Sequence, residues 1–371
     1  MKLEGLKVVD LSVFLPGPYL TMTLADHGAE VIKVEAPSGD PGRCIGLSDG
    51  PHSVFFRTVN RGKRSVVLDL KTPAGRAALL RLVDEADVFV EAFRPGVMQR
   101  LGFAYEALSA RNPRLVYCSI SAFGQDGPYR DRPAHDLATE ALAGAVGITL
   151  GGDGAPAIPG VAAADIISSL NALSGVLMAL LRRERTGRGD YIDISMHESV
   201  LAAVPNQMGP AMAEERQPVA QEERSLGGAA FYQIYATADD RHLVLAGQEE
   251  KFIHSLLGAL GRMDLAPLAE AGPGAHQAPL IDLLRATFRT RPLAEWVRWF
   301  EGRDVCFAPV NTLPEALVDP QVAARMAVVT DGEGRRHVAP VIRFRDEPAR
   351  PDWRAPALGE ANGLLEMKAA E

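Results

Sequence analysis

The sequence predicts an α/β protein whose core is a parallel β-sheet with helices on both faces. Three observations support this fold class: apolar runs of strand length recur through the first third of the chain, helical patterns separate them, and proline or glycine marks the boundaries. Parallel strands need long crossover connections, usually helices, and these cover both faces of the sheet. We therefore expect successive βαβ units with right-handed crossovers.

The first elements follow one another as strand, helix and strand. Residues 6–11 (LKVVDL) form an apolar run, and Pro18 in the turn after them suits the first turn of a helix over 19–27. Gly28 is typical of the end of such a helix. The pattern then repeats, with strands expected at 30–35, 65–70, 87–93 and 115–122 and a helix at 72–85.

The middle of the chain changes character. Apolar residues at helical spacing predict a long helix over 165–185 that ends at Gly187, followed by a strand at 191–195 and a helix near 196–204. A polar stretch at about 209–224 predicts a linker between domains. Beyond it we expect a hairpin (231–237 and 242–246), helices at 249–260, 278–288 and 293–300, and strands at 305–310 and 337–345.

Composition restricts the class of protein. The chain has 371 residues, and its 39 basic and 47 acidic residues give a net charge of −8, which argues against a general nucleic-acid-binding role. Cys44, Cys118 and Cys306 form no CxxC pair, so neither a zinc site nor a disulfide framework is expected. The longest dense apolar stretch, 170–181, is shorter than the ~20 residues of a membrane span. The N-terminus lacks a signal-peptide pattern, so we expect a cytoplasmic protein.

Two features of the first 100 residues bear on ligand binding. The turn SVFLPGP has one glycine where a dinucleotide fingerprint needs three, so an NAD site is not expected. Basic residues then cluster, and Arg94 and Arg100 follow beside Phe93 in FRPGVMQR. These residues either attract a polyanionic small molecule or form a solvated basic face. The cluster consists of Arg57, Arg61, Lys63, Arg64 and Lys71.

Carboxyl and imidazole side chains are the candidates for chemistry. Asp165 starts the long helix in apolar surroundings, where desolvation or hydrogen bonding shifts the pKa of a carboxyl group. Such a group can transfer a proton beside a carbonyl, with His135 as partner, or act as a nucleophile. Structural roles are the alternatives: Asp165 and Asp136 as caps of the helices that follow them, His135 as a surface residue, and Glu249 as an acid at a helix start.

Several segments resemble the family III CoA-transferases of the CaiB/BaiF type, a superfamily that includes the α-methylacyl-CoA racemases. The resemblance covers residues 3–200 and continues more weakly through GGAAFYQIYATADDRHLVLAGQEEKF. It rests on the start LxGLKVVDLS with PGP, and on DHGAEVIKVEAPSGD, NRGKRSVVLDLKTPAGR, DVFVEAFRPGVMQRLG, FGQDGPYRDRP and LLRRERTGRGDYIDISM. This resemblance implies an enzyme that acts on CoA thioesters.

The resemblance also implies an architecture. A Rossmann-like large domain binds CoA, a smaller α+β domain completes the site, and two chains interlock as linked rings in an obligate homodimer. We expect a large domain at 1–205, a linker at 206–225, a small domain at 226–320, and a C-terminal segment at 321–371 that returns to the large domain. Acyl-CoA and CoA are the expected partners, and no tightly bound cofactor is expected because CoA is part of the substrate. No metal is expected either, because neither enolisation by paired acid/bases nor anhydride chemistry requires one.

The family's CoA-binding positions fall on residues of the expected large domain. Lys71 and Arg100 would meet the CoA phosphates. Ala36 stands where the family often has an arginine near the adenine, and Arg43 is the expected substitute. The remaining positions that carry over are Leu15, Pro16, Leu68, Ala92, Phe93 and Ala134.

Two reactions are open to the residues at the family's catalytic positions. In a racemase, Asp165 and His135 exchange the α-proton of a 2-methylacyl-CoA on opposite faces, with Glu249 beside the histidine. In a CoA-transferase, Asp165 attacks the thioester and forms a mixed anhydride, then an aspartyl-CoA thioester. We expect racemisation, because it gives His135 a catalytic use. CoA transfer between carboxylic acids is the alternative, favoured by the helix sequence DIISSLNALSG, and a homologue that binds CoA without turnover is the third possibility.

Overall fold

The computed structural model describes residues 1–367, and the chain divides into two compact units. The first unit comprises Met1–Ala203 and the segment that begins at Pro320, and the second comprises Val204–Asp319. The second unit is therefore inserted into the first along the chain. Each unit has its own buried apolar core.

A parallel sheet is the centre of the first unit. The strands are β1 (Lys7–Asp10), β2 (Glu30–Glu35), β3 (Arg64–Val67), β4 (Val88–Glu91), β5 (Val116–Ser121), β6 (Tyr191–Ser195), β7 (Tyr232–Ala236), β8 (His242–Ala246), β9 (Phe307–Pro309), β10 (Val328–Thr330) and β11 (Arg336–Val338). The parallel sheet has the order β3-β2-β1-β4-β5-β6. An antiparallel β7-β8-β9 sheet lies in the second unit, and β10 pairs with β11 in the first. The predicted α/β class with a parallel sheet is confirmed.

Helices connect the strands and cover the sheet. They are α1 (Pro16–Asp26), α2 (Val54–Asn60), α3 (Pro73–Asp84), α4 (Val97–Leu101), α5 (Tyr105–Arg111), α6 (Asp136–Leu142), α7 (Ala145–Ile148), α8 (Ala163–Thr186), α9 (Met196–Ala202), α10 (Met208–Glu214), α11 (Glu250–Ala259), α12 (Ala266–Glu270), α13 (Ala278–Phe288), α14 (Leu293–Phe300), α15 (Leu313–Ala316), α16 (Pro320–Ala324) and α17 (Gly363–Met367). Helix α1 begins earlier than predicted because Pro16, like Pro18, fits a first helical turn. Helix α10 occupies the first part of the polar stretch that predicts a linker, and residues 215–224 of that stretch form neither helix nor strand.

Side chains of the parallel sheet alternate between two apolar cores. Val88 and Val90 of β4 belong to a cluster that includes residues of α1 and α8. Phe89, between them, belongs to a second cluster with residues of α3 and α5. Because both faces are covered, the strands appear in the sequence as continuous apolar runs, which is why they could be predicted.

Helix α8 is long and apolar enough to cross a membrane by length and composition alone, with a hydropathy of 1.6. However, 44% of that apolar window is buried within the protein, and Ala172 and Val176 pack in the core of the first unit. Core helices commonly pass the same test, so one such helix is weak evidence for a membrane protein. The helix ends at Gly187, whose φ of +70° is a left-handed conformation that glycine adopts readily.

The strand order creates a crevice between β1 and β4. The chain proceeds from β1 outward to β2 and β3 on one side, and from β4 outward to β5 and β6 on the other. Loops that leave the carboxyl ends of strands at such a reversal diverge, and α/β proteins bind ligands there. Residues 11–15 follow β1 and residues 92–96 follow β4, so the fold directs both segments to this crevice.

The last described segment covers the outer edge of β3. The N–H of Val67 donates to the side-chain oxygen of Asn362 (2.8 Å), and the N–H of Ala361 donates to the backbone oxygen of Ser65 (2.9 Å). The N–H of Gly359 donates to the Ser65 hydroxyl (2.9 Å). An open strand edge invites pairing with other chains, and these hydrogen bonds close it.

Candidate active site

The turn after β1, residues 12–18, rests on a buried ion pair. Lys63 Nζ lies 3.0 Å from Asp10 Oδ2 and donates to the backbone oxygen of Pro18 (3.0 Å). Neither side chain is exposed. Burial by itself raises the pKa of Asp10, but Lys63, Lys33 and two hydroxyl donors together lower it to about 2. Burial lowers the pKa of Lys63 to about 8, against the opposing charge of Asp10.

A second buried pair, Lys33 with Asp40, holds the same turn. Lys33 Nζ lies 2.8 Å from Asp40 Oδ2 and donates to the backbone oxygen of Ser12 (2.8 Å). The N–H of Phe14 contacts Asp40 Oδ1 at 3.4 Å. Phe14 has a φ of +62°, a left-handed conformation that costs an L-residue roughly 1–2 kcal/mol. The buried pairs keep this strained residue in place.

The single glycine of the SVFLPGP motif serves packing within the turn. A Cβ atom on Gly17 would lie 2.2 Å from the Cβ of Ser12, far closer than non-bonded atoms approach. Position 17 therefore requires glycine. The motif forms a compact turn and not a glycine-rich phosphate loop. The absence of an NAD site stays a prediction.

The basic cluster around residue 60 is neutralised within the first unit. Its members pair with acids: Arg57 with Asp49 (2.9 Å), Arg61 with Asp26 (2.6 Å), Lys63 with Asp10 (3.0 Å) and Arg64 with Glu30 (2.7 Å). Arg57, Arg61 and Lys63 are also buried. Both predictions for the cluster, a polyanion patch and a solvated basic face, are therefore wrong for Arg57, Arg61 and Lys63, whereas Arg64 is exposed, as a solvated face requires. Lys71 is the member that lies at the candidate site.

Residues from several loops line one cavity of about 270 Å³, here named the Asp165 cavity. The turn after β1 and residues 92–95 after β4 form part of its wall, as the strand order requires. Residues at the carboxyl end of β5 and at the amino ends of α6 and α8 complete the wall. Six of the site residues expected from the family resemblance, distant from one another in sequence, come together here: Pro16, Ala92, Phe93, Ala134, His135 and Asp165.

A neighbouring cavity of about 220 Å³ contains two more of the expected CoA residues, Leu68 and Lys71. Phe93 lines both cavities and therefore lies between them. Ala36, which stands in place of the family's arginine, also lines this second cavity.

Three expected CoA residues are absent from the lining of both cavities. Arg43 pairs with Glu35 through contacts of 2.8 and 2.6 Å, and its guanidinium lies 4.0 Å from the centre of the Phe56 ring. Arg100 is exposed on α4, and Leu15 is the N-cap residue of α1. The adenine contact of Arg43 stays a prediction, and it would have to coexist with this ion pair.

Asp165 is the third residue of α8, and its environment strongly perturbs it. The residue is partly buried, and no hydrogen bond found among residues 1–367 uses its carboxyl group. Burial, and then the charges of Asp136 and Glu140, raise the pKa of Asp165 to about 7. Near neutral pH, a substantial fraction of Asp165 is therefore ionised while the carboxylate stays unusually basic, which suits a nucleophile or a base.

Two carboxyl groups from α6 bind the start of α8. Asp136 Oδ1 accepts from the N–H of Asp165 (3.1 Å), and Glu140 Oε1 accepts from the N–H of Ala163 (2.8 Å). These N–H groups belong to the first helical turn and have no partner within the helix. Asp136 thus caps α8 and not α6, the helix that follows it in sequence. The same contacts anchor Asp165 and concentrate negative charge around it.

We expect Asp136→Asn to lower the pKa of Asp165, because it removes a negative charge while keeping an oxygen that can accept the Asp165 N–H. The acidic limb of the kcat/KM profile follows protonation of Asp165 and should move to lower pH. Steady-state kinetics as a function of pH would measure the shift. Asp153→Asn, which alters an exposed carboxylate, is the matched control. If the acidic limb of the Asp136→Asn profile lies at the same pH as in the wild type, Asp136 does not raise the pKa of Asp165.

His135 and Glu249 lie in different units. His135 is the N-cap residue of α6; its ring lines the Asp165 cavity and lies edge-on to Phe14, with 6.0 Å between ring centres. Glu249 belongs to the second unit, where it is the N-cap residue of α11 and its exposed side chain makes no cap hydrogen bond. The expected placement of Glu249 beside His135 stays a prediction.

The Asp165 cavity also contains residues that sequence reasoning missed. Arg130 and Arg132 come from the loop GQDGPYRDRP, and Ser121 ends β5. Ser121 is buried, and its hydroxyl has no hydrogen-bond partner among residues 1–367. The available signal was two arginines in the loop directly after a predicted parallel strand, the position where binding residues concentrate in α/β proteins.

Comparison with known proteins identifies relatives along the whole chain. The model of CoA-transferase family III matches residues 3–362. An acetyl-CoA:oxalate CoA-transferase of Acetobacter aceti is 36% identical, with 99% of this chain and 95% of that protein covered. A succinate–glutarate CoA-transferase of Agrobacterium fabrum is 34% identical, with 100% of this chain and 96% of that protein covered.

A solved structure has the same fold. The crystal structure of a CaiB/BaiF family protein from Brucella suis superimposes with a TM-score of 0.85 at 33% identity, covering 99% of this chain and 98% of that chain. The family model, the full-length relatives and the fold all agree with the resemblance seen in the sequence. This chain belongs to CoA-transferase family III.

Proposed function

We propose that this enzyme transfers CoA from an acyl-CoA thioester to a free dicarboxylic acid, with Asp165 as the covalent nucleophile. The observation that carries the proposal is the Asp165 carboxyl group, which is partly buried, raised in pKa and located in a cavity with no hydrogen bond to its oxygens among residues 1–367. The two named relatives support the choice of acceptor, because oxalate and glutarate are both dicarboxylic acids.

The first half of the reaction loads CoA onto Asp165. The Asp165 carboxylate attacks the thioester carbonyl, the C–S bond breaks, and CoA leaves as a thiolate while a mixed anhydride forms. The thiolate then attacks the aspartyl carbonyl of this anhydride. The donor acid leaves as its carboxylate, and an aspartyl-CoA thioester remains.

The second half is the same sequence in reverse with a different acid. The acceptor carboxylate attacks the aspartyl-CoA thioester and displaces the CoA thiolate, which forms a second mixed anhydride. The thiolate attacks the acceptor's acyl carbon in that anhydride, so the new acyl-CoA leaves and the Asp165 carboxylate is regenerated. In each step an activated acyl group, either a thioester or an anhydride, is converted into another activated acyl group. The reaction therefore needs no ATP, metal or redox step.

The proposed path of CoA follows the two cavities. Leu68 and Lys71 would bind the nucleotide end, Lys71 and Arg100 would neutralise its phosphates, and Phe93 would separate this end from the thioester. The thioester end would lie in the Asp165 cavity. The geometry supports this path because Phe93 lines both cavities.

Racemisation, the first expectation from the sequence, has less support than transfer. His135 and Asp165 do line one cavity, as a two-base reaction requires. However, the relatives found along the whole chain are named as CoA-transferases. We therefore favour transfer, in which Asp165 acts as a nucleophile.

One experiment separates the two reactions. The enzyme is incubated in D2O with (2S)-2-methylacyl-CoA, or with acetyl-CoA plus glutarate or oxalate, and products are followed by chromatography and proton NMR. We expect glutaryl-CoA or oxalyl-CoA to form as acetate is released, with the α-proton of the 2-methylacyl-CoA retained. Loss of that α-proton without any transfer would instead establish racemisation.

The proposed assembly is a homodimer of interlocked chains. The family resemblance supports it, as do large apolar side chains exposed on α8: Leu170, Leu177, Met178 and Leu181. Light scattering on the purified protein should give twice the chain mass of 39.8 kDa. A monomer that is fully active would contradict this assembly.

A further inference from the structure

We propose that Arg94 and Arg130 bind the second carboxylate of the dicarboxylic acid, and that these two residues select dicarboxylic over monocarboxylic acids. This inference rests on the proposed function and adds to it the residues that recognise the acceptor. It concerns two arginines that neither the ion-pair network beneath the turn nor the Asp165 chemistry uses.

Both arginines line the Asp165 cavity, which gives them access to the acyl group. Both also line an adjoining cavity of about 370 Å³, here named the Glu91 cavity, whose lining includes Glu91 of β4, Tyr117 of β5 and Tyr191 of β6. Arg94, Pro95 and Arg130 are the residues shared by the two linings. The two arginines therefore lie at the boundary between the cavity of the reacting carboxyl group and a second cavity.

The charges of these arginines are not neutralised among residues 1–367. No hydrogen bond or ion pair found there involves the Arg94 guanidinium, and the contact found for Arg130 is with Asp131 at 4.0 Å, whose side chain is 80% exposed. Arg57 and Arg61, in contrast, have carboxylate partners at 2.9 and 2.6 Å. Unpaired guanidinium groups beside a cavity are suited to a carboxylate, which they can bind through paired N–H donors.

The Glu91 cavity can accommodate the far end of an acid, and repulsion by its own buried carboxyl group decreases as the pH falls below neutral. Tyr105, Tyr117 and Tyr191 form one wall, with ring centres 5.3 to 6.1 Å apart. Glu91 is buried there, accepts from the N–H of Phe93 (2.8 Å), and has a pKa raised by burial to about 7, so it is largely protonated below neutral pH.

The other carboxyl group in this lining does not cancel the arginines either. Glu106 is exposed, and water and salt screen its charge. Arg94 is exposed as well and Arg130 is partly buried, but the lining contains two arginines and one exposed carboxylate, so its net charge is positive when Glu91 is protonated. A dicarboxylic acid could place one carboxyl group at Asp165 and the other against Arg94 and Arg130.

A competing role for Arg130 is binding of a CoA phosphate. A Cβ atom on Gly96 would lie 3.3 Å from Nη1 of Arg100 and 3.6 Å from Nη2 of Arg130, so Arg130 lies near a residue expected to meet phosphate. The two roles make different predictions. A phosphate contact affects every acceptor equally, whereas a contact to the second carboxylate affects only dicarboxylic acids.

The test compares glutarate with pentanoate, acids of equal chain length with and without a second carboxylate. Acetyl-CoA serves as donor, and Arg94→Met and Arg130→Met are measured beside wild type. We expect each substitution to lower the ratio of kcat/KM for glutarate to that for pentanoate by roughly 10- to 100-fold, as for loss of a charged hydrogen bond. The KM for acetyl-CoA should stay near the wild-type value. Arg188→Met, an exposed arginine in the turn after α8, is the matched control.

Equilibrium binding separates this inference from the proposed function. Calorimetric titration of each protein with glutarate and with pentanoate needs no turnover. Selective glutarate binding that weakens in both variants supports the inference, even if no CoA transfer occurs and the proposed function fails. An unchanged glutarate-to-pentanoate ratio overturns it, as does an equal loss for both acids with a raised KM for acetyl-CoA, which would identify the arginines as CoA-phosphate contacts.

Discussion

Asp165→Ala is expected to abolish CoA transfer, with kcat lowered on the order of 10⁴- to 10⁶-fold, as for removal of a catalytic nucleophile. Asp136 and Glu140, the carboxyl groups that perturb Asp165, each accept a backbone N–H at the start of α8, which ties them to a capping role. Asp165→Asn should be equally inactive, because an amide cannot form the mixed anhydride. Chromatographic measurement of acyl-CoA products with acetyl-CoA and glutarate would test both variants.

The covalent intermediate provides an independent readout of the same prediction. Hydroxylamine added during turnover should convert an activated Asp165 carboxyl group to a hydroxamate, which mass spectrometry can locate by peptide. The adduct should be absent from both Asp165 variants and present in Ser169→Ala, which alters a buried hydroxyl one turn further along α8. Transfer activity retained in Asp165→Ala would rule out the nucleophile.

Lys63→Met is expected to destabilise the protein by about 3–5 kcal/mol, because it leaves the buried Asp10 carboxylate without its 3.0 Å partner. The loss should also loosen residues 12–18, since Lys63 donates to the backbone oxygen of Pro18. Denaturant unfolding followed by circular dichroism would measure the change in free energy of unfolding.

Two further variants test whether burial is the cause. Asp10→Asn combined with Lys63→Met removes both charges and should recover much of the stability. Arg111→Met disrupts an exposed pair with Asp84 and should cost less than about 1 kcal/mol. If Lys63→Met were no more destabilising than Arg111→Met, the buried pair would not be what holds the turn.

The sequence was most informative where structure depends on local patterns. The strands of the parallel sheet appear as apolar runs because both faces are covered, and α8 could be predicted from helical spacing and its terminal Gly187. Asp165 could be identified as a candidate because its sequence neighbours are strongly apolar, so its carboxyl group must be desolvated or hydrogen-bonded, and either shifts its pKa. The family resemblance then supplied a chemistry for it.

The sequence was least informative where a residue's role depends on a distant partner. Lys63 lies 53 positions from Asp10 in the sequence. Asp136, whose side chain accepts a hydrogen bond from the N–H of Asp165, lies 29 positions before it. No local pattern distinguishes such a lysine from a solvated one, so the sequence could not show that Lys63 is buried in an ion pair. Arg130 was missed for the same reason, since only the fold brings it to the cavity of Asp165.

The closed edge of β3 has a consequence for synthesis of the protein in the cell. Val67 and its partner Asn362 are 295 positions apart, and the whole second unit is translated between them. At roughly 5–20 residues per second, a ribosome takes roughly 15–60 s to cover that distance, during which the edge has no partner from its own chain. Nascent chains on neighbouring ribosomes are then exposed to one another's open edges, so chaperone protection matters most during this interval. A premature stop shortly before codon 359 would make that vulnerable state permanent.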